Sequence, residues 1–225
     1  PYAHLGGDFT LASADGPVSL SDFRGQAVML FFGYTTCPDV CPMDLAKISA
    51  VINRFSDATS QQVAGLFVSV DTERDTPERT TEYAAFFHPR ITGVSGSAQA
   101  VDAVAKQYYV LYQKVEDPGS ALGYTVDHSA TTYLIGPKGK VRQLLKHDST
   151  VDEMTDAVRA VLRIFVPQPD DADVDPATAA AAAAPGHGVP PLRRLPAVLR
   201  SPECDGRAVE RGLRGGGGGG SAVVP

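Results

Sequence analysis

Ala27-Val28-Met29-Leu30-Phe31-Phe32-Gly33-Tyr34-Thr35-Thr36-Cys37-Pro38-Asp39-Val40-Cys41-Pro42 joins an apolar run, a short polar turn and two thiols. The apolar run predicts a buried strand over Val28 to Phe32. Pro42 marks the start of a helix, because proline is tolerated in the first turn, where its missing N–H would find no partner. The helix opens near Cys41 and runs to about Phe55, with Leu45, Ile48, Ile52 and Phe55 on its helical period. Unpaired N–H groups at a helix N-terminus carry partial positive charge. That field favours a thiolate, the form of cysteine that acts as nucleophile and metal ligand. Helical spacing of four brings two Cα atoms to roughly 6 Å, within reach of a disulfide. The pair is therefore compatible with two free thiols, a disulfide, or two ligands of one metal.

Working outward, apolar and amphipathic runs alternate. Phe9–Leu11 and Val18–Leu20 flank an Asp15-Gly16-Pro17 turn and predict a hairpin. Val63–Val70 reads as a second buried strand. Thr76-Pro77 opens a helix to about Phe87, with Thr76 as N-cap. A short strand over Ile91–Val94 and a helix over Ser97–Tyr108 follow. Val110–Lys114 and Leu122–Val126 predict strands on either side of Asp117-Pro118-Gly119. Thr131–Ile135 and Val141–Leu145 form a hairpin, and a last helix spans Val151–Phe165. The order predicts an α/β fold, its first two main strands parallel through a right-handed crossover, in a central mixed sheet flanked by helices on both faces.

The chain has 225 residues and a formal net charge of −6, with pI near 5.3. That balance argues against a nucleic-acid partner. No apolar run is long enough to span a bilayer. The start at Pro1, with no signal peptide in view, reads as a processed or truncated form. Three cysteines are too few for a disulfide-stapled scaffold. Composition divides the chain into a globular domain, 1–166, and a low-complexity Pro/Ala/Gly-rich tail, 167–225. The tail, with its alanine run over 177–184 and six glycines over 215–220, is expected to be disordered. Cys204 lies in it as a bystander.

A cysteine pair between the first main strand and its helix resembles the thioredoxin fold. The spacing is Cys-x-x-x-Cys-Pro, followed by Val68-Ser69-Val70-Asp71-Thr72-Glu73-Arg74-Asp75-Thr76-Pro77 and later by Tyr124-Thr125-Val126-Asp127-His128-Ser129. Together, in this order, these motifs are similar to those of the SCO/SenC family of copper-handling assembly factors of cytochrome c oxidase, over residues 5–165. The resemblance implies metal ligands at Cys37, Cys41 and His128, with Cys37 and Cys41 also a redox-active pair. Two thiolates and an imidazole suit Cu(I); one ion per chain is implied, with Cu(II) as an alternative valence. His128 is placed in a loop before the strand over 131–135. The implied partners are the copper-bearing subunit of cytochrome c oxidase, a thiol reductant and an upstream copper donor. The implied location is the periplasmic or extracytoplasmic face of the inner membrane, on an N-terminal anchor outside this sequence. Two functions remain open: delivery of copper to the binuclear site of the oxidase, and a thiol-disulfide reductase acting on that site's cysteines. The second would make the protein an enzyme. His128-Ser129-Ala130-Thr131 holds no proline where thioredoxins place their cis-proline, which weighs against general dithiol exchange. Thr35-Thr36-Cys37 is also similar to peroxidatic loops, a third reading.

Neighbouring residues carry structural readings. Arg74 is expected to pair with a carboxylate and pin its loop, with Asp75 or Thr76 capping the next helix. Asp127 either orients His128 or caps a turn. Met43 is expected to pack in the helix interior, although its thioether suits Cu(I). His4, His88, His147 and His187 are read as bystanders.

Overall fold

The structure, a computed structural model, describes residue 2 and residues 4–119 and 122–163. The predicted tail, its boundary at 166, Cys204 and His187 lie outside the described residues. The elements are β1 (Thr10–Ser13), β2 (Gly16–Ser19), a 3-10 turn (Leu20–Phe23), β3 (Ala27–Gly33), α1 (Val40–Ile52), α2 (Asp57–Ser60), β4 (Val63–Ser69), α3 (Pro77–Phe87), β5 (Ile91–Val94), α4 (Ala98–Gln107), β6 (Tyr112–Glu116), β7 (Tyr124–His128), β8 (Thr131–Ile135), β9 (Val141–Lys146) and α5 (Val151–Arg163). None of these helices is long and apolar enough to cross a membrane.

The main sheet has five strands in the order β5-β4-β3-β8-β9. β3 is parallel to β4, with Phe31 opposite Phe67, and antiparallel to β8, with Leu30 opposite Tyr133. The sheet is therefore mixed, as predicted. β3 and β4 are buried along their whole length, which explains why both read as continuous apolar runs rather than alternating ones. Alternation along β3 separates two cores. Phe31 stacks beside Phe67, whose other neighbour is Tyr83 of α3. Phe32 turns the opposite way, to Tyr108 after α4 and to Tyr133 of β8. Phe9 closes over Tyr108 on that second face, and the Tyr108 hydroxyl donates to the Gly7 carbonyl at 2.9 Å.

Several boundaries differ from the sequence reading. α1 begins at Val40, so Cys41 lies inside its first turn, and ends at Ile52 rather than Phe55. α2 was not anticipated. The hairpin over 110–114 and 122–126 forms two residues later, as β6 and β7. Val110 cannot join a ladder there, because its N–H is committed to the Ala105 carbonyl at the frayed end of α4. Tyr109 makes that turn with φ 52°, in the left-handed region. Among the described residues β6 and β7 pair only with each other, with Tyr112 opposite His128, so this hairpin stands apart from the main sheet.

Candidate metal centre

Cys37, Cys41 and His128 converge: one ligand atom from each lies within 4.8 Å of the other two. Cys37 is half-buried in the turn after β3, and Cys41 is buried in the first turn of α1. Neither is in a disulfide. The Cys41 backbone N–H points at Cys37 Sγ, 3.5 Å away, an unpaired helix-start donor meeting a sulfur. Gly33 makes room for the pair, since a Cβ there would lie 2.7 Å from Cys41 Sγ.

His128 is the last residue of β7, not a loop residue as the sequence suggested. Its Nε2 lies 3.2 Å from Cys41 Sγ, and its Nδ1 lies 3.3 Å from the Ser129 carbonyl oxygen. A carbonyl only accepts, so the ring donates through Nδ1–H and leaves the Nε2 lone pair facing the sulfur. Edge-on contacts with Phe31 and Tyr34 hold the ring plane. Asp127 takes neither role expected of it. It is exposed on β7 opposite Gln113, because strand alternation turns it away from the face that His128 uses. Met43 is also corrected: it is 46% exposed and does not pack in the helix interior, its position in α1 facing outward.

The two thiols have opposite electrostatics. The Cys41 side chain beside it is the main cause that pulls the Cys37 pKa down to about 3, and the backbone N–H groups of Cys41 and Asp39 reinforce it against burial. Cys41 moves upward, first because its partner is Cys37 and then because it is buried. Cys37 is thus a thiolate at neutral pH and Cys41 holds a proton. Three donors of this kind, two sulfurs and one imidazole, fit a soft, low-coordinate ion.

Three supports were invisible or ambiguous in the sequence. Buried Asp75 accepts from the Thr35 N–H (2.8 Å), the Thr35 hydroxyl (2.6 Å) and the Ser69 hydroxyl (2.6 Å). Arg79 completes the group, donating to Thr35 Oγ1 at 2.8 Å. The loop before Cys37 is therefore tied to the loop after β4. The helix cap at α3 is Thr76, which accepts from the Arg79 N–H. Arg74 pairs with buried Asp71, as the structural reading expected. His147, read as a bystander, binds buried Asp44 of α1 at 2.9 Å. Lys47 also reaches Asp44, at 3.5 Å, and donates to the His147 carbonyl. The missed signal is the placement of Asp44 one helical turn beyond Cys41.

A family model described as SCO1/SenC matches residues 1–163. Protein SCO1 homolog 1, mitochondrial, of Arabidopsis thaliana is 38% identical over 164 residues. That match covers 72% of this chain and 48% of the relative, so the chain spans about half the length of that relative. The structure of Arabidopsis thaliana ScoI with copper bound superposes with a TM-score of 0.66 at 36% identity, covering 72% of this chain and 99% of that one. BsSco, described as having a disulfide switch and belonging to the Sco family of cytochrome c oxidase assembly proteins, matches with a TM-score of 0.56 at 25% identity, over 73% and 96%. The fold is thioredoxin-like.

Proposed function

Since the chain belongs to the SCO1/SenC family, we propose that it binds one copper ion through Cys37, Cys41 and His128 and delivers it to the binuclear copper site of cytochrome c oxidase during assembly. The observation that carries this reading is the convergence of two sulfurs and an imidazole lone pair within 4.8 Å. Two thiolates and an imidazole suit Cu(I). Cys37, the more exposed sulfur, is the ligand an incoming acceptor thiolate reaches first, so transfer proceeds by ligand exchange from that side. Copper-bound relatives and the oxidase-assembly description of BsSco support the cargo and the acceptor. Relatives described as mitochondrial support a site of action on the extracytoplasmic face of a membrane, where an upstream copper donor would load the site.

One observation favours a second reading, thiol-disulfide reduction of the acceptor site. The electrostatics separate an attacking thiolate from a protonated partner. Cys37 would attack an acceptor disulfide, releasing one acceptor thiol. Cys41, on losing its proton, would then attack the Cys37 sulfur and release the other, leaving a Cys37–Cys41 disulfide for a dithiol reductant to reopen. The two readings share the cysteines and differ at His128.

Anaerobic titration of copper into the reduced protein and into His128→Ala separates them. Delivery predicts one ion per chain, held much more weakly by the variant. Absence of tight binding, or binding indifferent to His128, leaves the reductase.

A further inference from the structure

The β6–β7 hairpin shares no backbone ladder with the main sheet, yet it carries the imidazole that must meet the cysteines. Buried Val126 is its apolar foot. Tyr112 and Tyr124 also pack against the core, and a set of side-chain contacts ties the hairpin to the loop after β4. Asp71, 4% exposed, binds Arg74 Nε through one carboxylate oxygen and accepts the Tyr124 hydroxyl at 2.8 Å through the other. Arg74 then reaches back to β7, donating through Nη1 to the Tyr124 carbonyl at 3.1 Å and to the Leu122 carbonyl at 3.4 Å. Its guanidinium lies 3.7 Å above the Tyr124 ring and 5.8 Å from the Tyr34 ring. Tyr34 is one of the two rings that wall His128, at 5.8 Å. Lys114 of β6 adds a contact with Glu73 at 3.0 Å.

One guanidinium therefore touches both the strand that presents His128 and the ring that holds it. A planar cation can do this because its fork and its faces act at once: N–H groups on carboxylate and carbonyls, π faces between aromatic rings. Partners of this kind fix the direction of a ligand without touching the metal. We infer that Arg74, anchored by Asp71 and clasping Tyr124, is a positioning residue that holds the His128 imidazole against the cysteine pair. The inference rests on reading His128 as a copper ligand, and its test separates the two.

The test uses Tyr124→Phe, Arg74→Gln and Arg74→Lys, each alone and combined with His128→Ala. Tyr124→Phe removes one hydroxyl and keeps the ring under Arg74, so it stays informative if losing the cation from beside buried Asp71 unfolds the Arg74 variants. Cu(I) affinity is read anaerobically against a chromophoric chelator. Arg74→Gln is expected to weaken binding by about 10- to 100-fold, Tyr124→Phe by less in the same direction, and Arg74→Lys to restore little, since an ammonium cannot supply the fork. On the His128→Ala background the same changes are expected to have no further effect, because the clasp acts through the imidazole. Cys37 alkylation is expected to be unchanged. In the copper-free protein, nuclear Overhauser contacts between the His128 ring and the Phe31 and Tyr34 rings weaken in the variants. Wild-type affinity and wild-type ring contacts in Tyr124→Phe and Arg74→Gln would overturn the inference, as would equal losses with and without His128. A wild-type protein whose copper affinity ignores His128 would instead refute the ligand reading, and the ring contacts alone would then decide the positioning.

Discussion

Cys37 and Cys41 carry the same functional group four residues apart, and their surroundings give it opposite protonation. The sign of the shift fixes a pH prediction. A depressed pKa means the thiolate survives as pH falls, so alkylation of Cys37 by iodoacetamide should hold its rate from about pH 8 to about pH 5, whereas an ordinary thiol slows roughly tenfold per unit below about 8.5. The rate at Cys37 should fall only as pH approaches the Cys37 value, and peptide mapping by mass spectrometry, which reads Cys37 and Cys41 separately from Cys204, should find Cys37 labelled and Cys41 unmodified. A rate that drops steadily below pH 8, or label on Cys41, would contradict the asymmetry. Much of this was legible in the residues: two thiols, and a proline that starts a helix beneath them. Which thiol ionises was not legible, because it depends on burial and on a hydrogen bond between the two.

The elements meet at the loops after β3 and β4, where Asp75 joins them. Its carboxylate holds Thr35, forty positions earlier in the chain, and Ser69 at the end of β4. Asp75→Ala would strand the Thr35 N–H and the buried Ser69 hydroxyl. The expected loss is on the order of 3 kcal/mol, measured by urea unfolding of the reduced protein, since bonds to charged groups are among the stronger ones. A loss within the noise of a surface substitution would show that water replaces the carboxylate. Sequence reading gave this segment a capping role, and Thr76 does fill the cap. The carboxylate's partner was out of reach because nothing local encodes a contact across forty residues. The misplaced start of β6 has a related cause. Val110 and Leu111 suit a strand by composition, but the N–H of Val110 is taken by the end of α4, and a committed donor cannot also join a ladder.

At the scale of the molecule, the described domain closes its own core. α5 brings Val158, Val161 and Leu162 into the buried cluster with β3 and β9. The domain boundary read from composition at residue 166 follows just after it. A chain ended at 166 is therefore expected to keep the melting temperature and copper stoichiometry of the full chain, measured by calorimetry and metal analysis. A fall of several degrees would assign 167–225 a part in the fold. The sequence by itself determined the buried strand, the helix beginning at the cysteines, the mixed α/β order and the types of donor, because burial and helix starts are written in local patterns of apolar residues, proline and caps. Only the tertiary structure decided that His128 stands at the end of a separate hairpin, that its lone pair faces Cys41 and that Arg74 clasps its strand to Asp71. Those are matters of direction and distance between segments far apart in the chain, and no local pattern of residue types carries them.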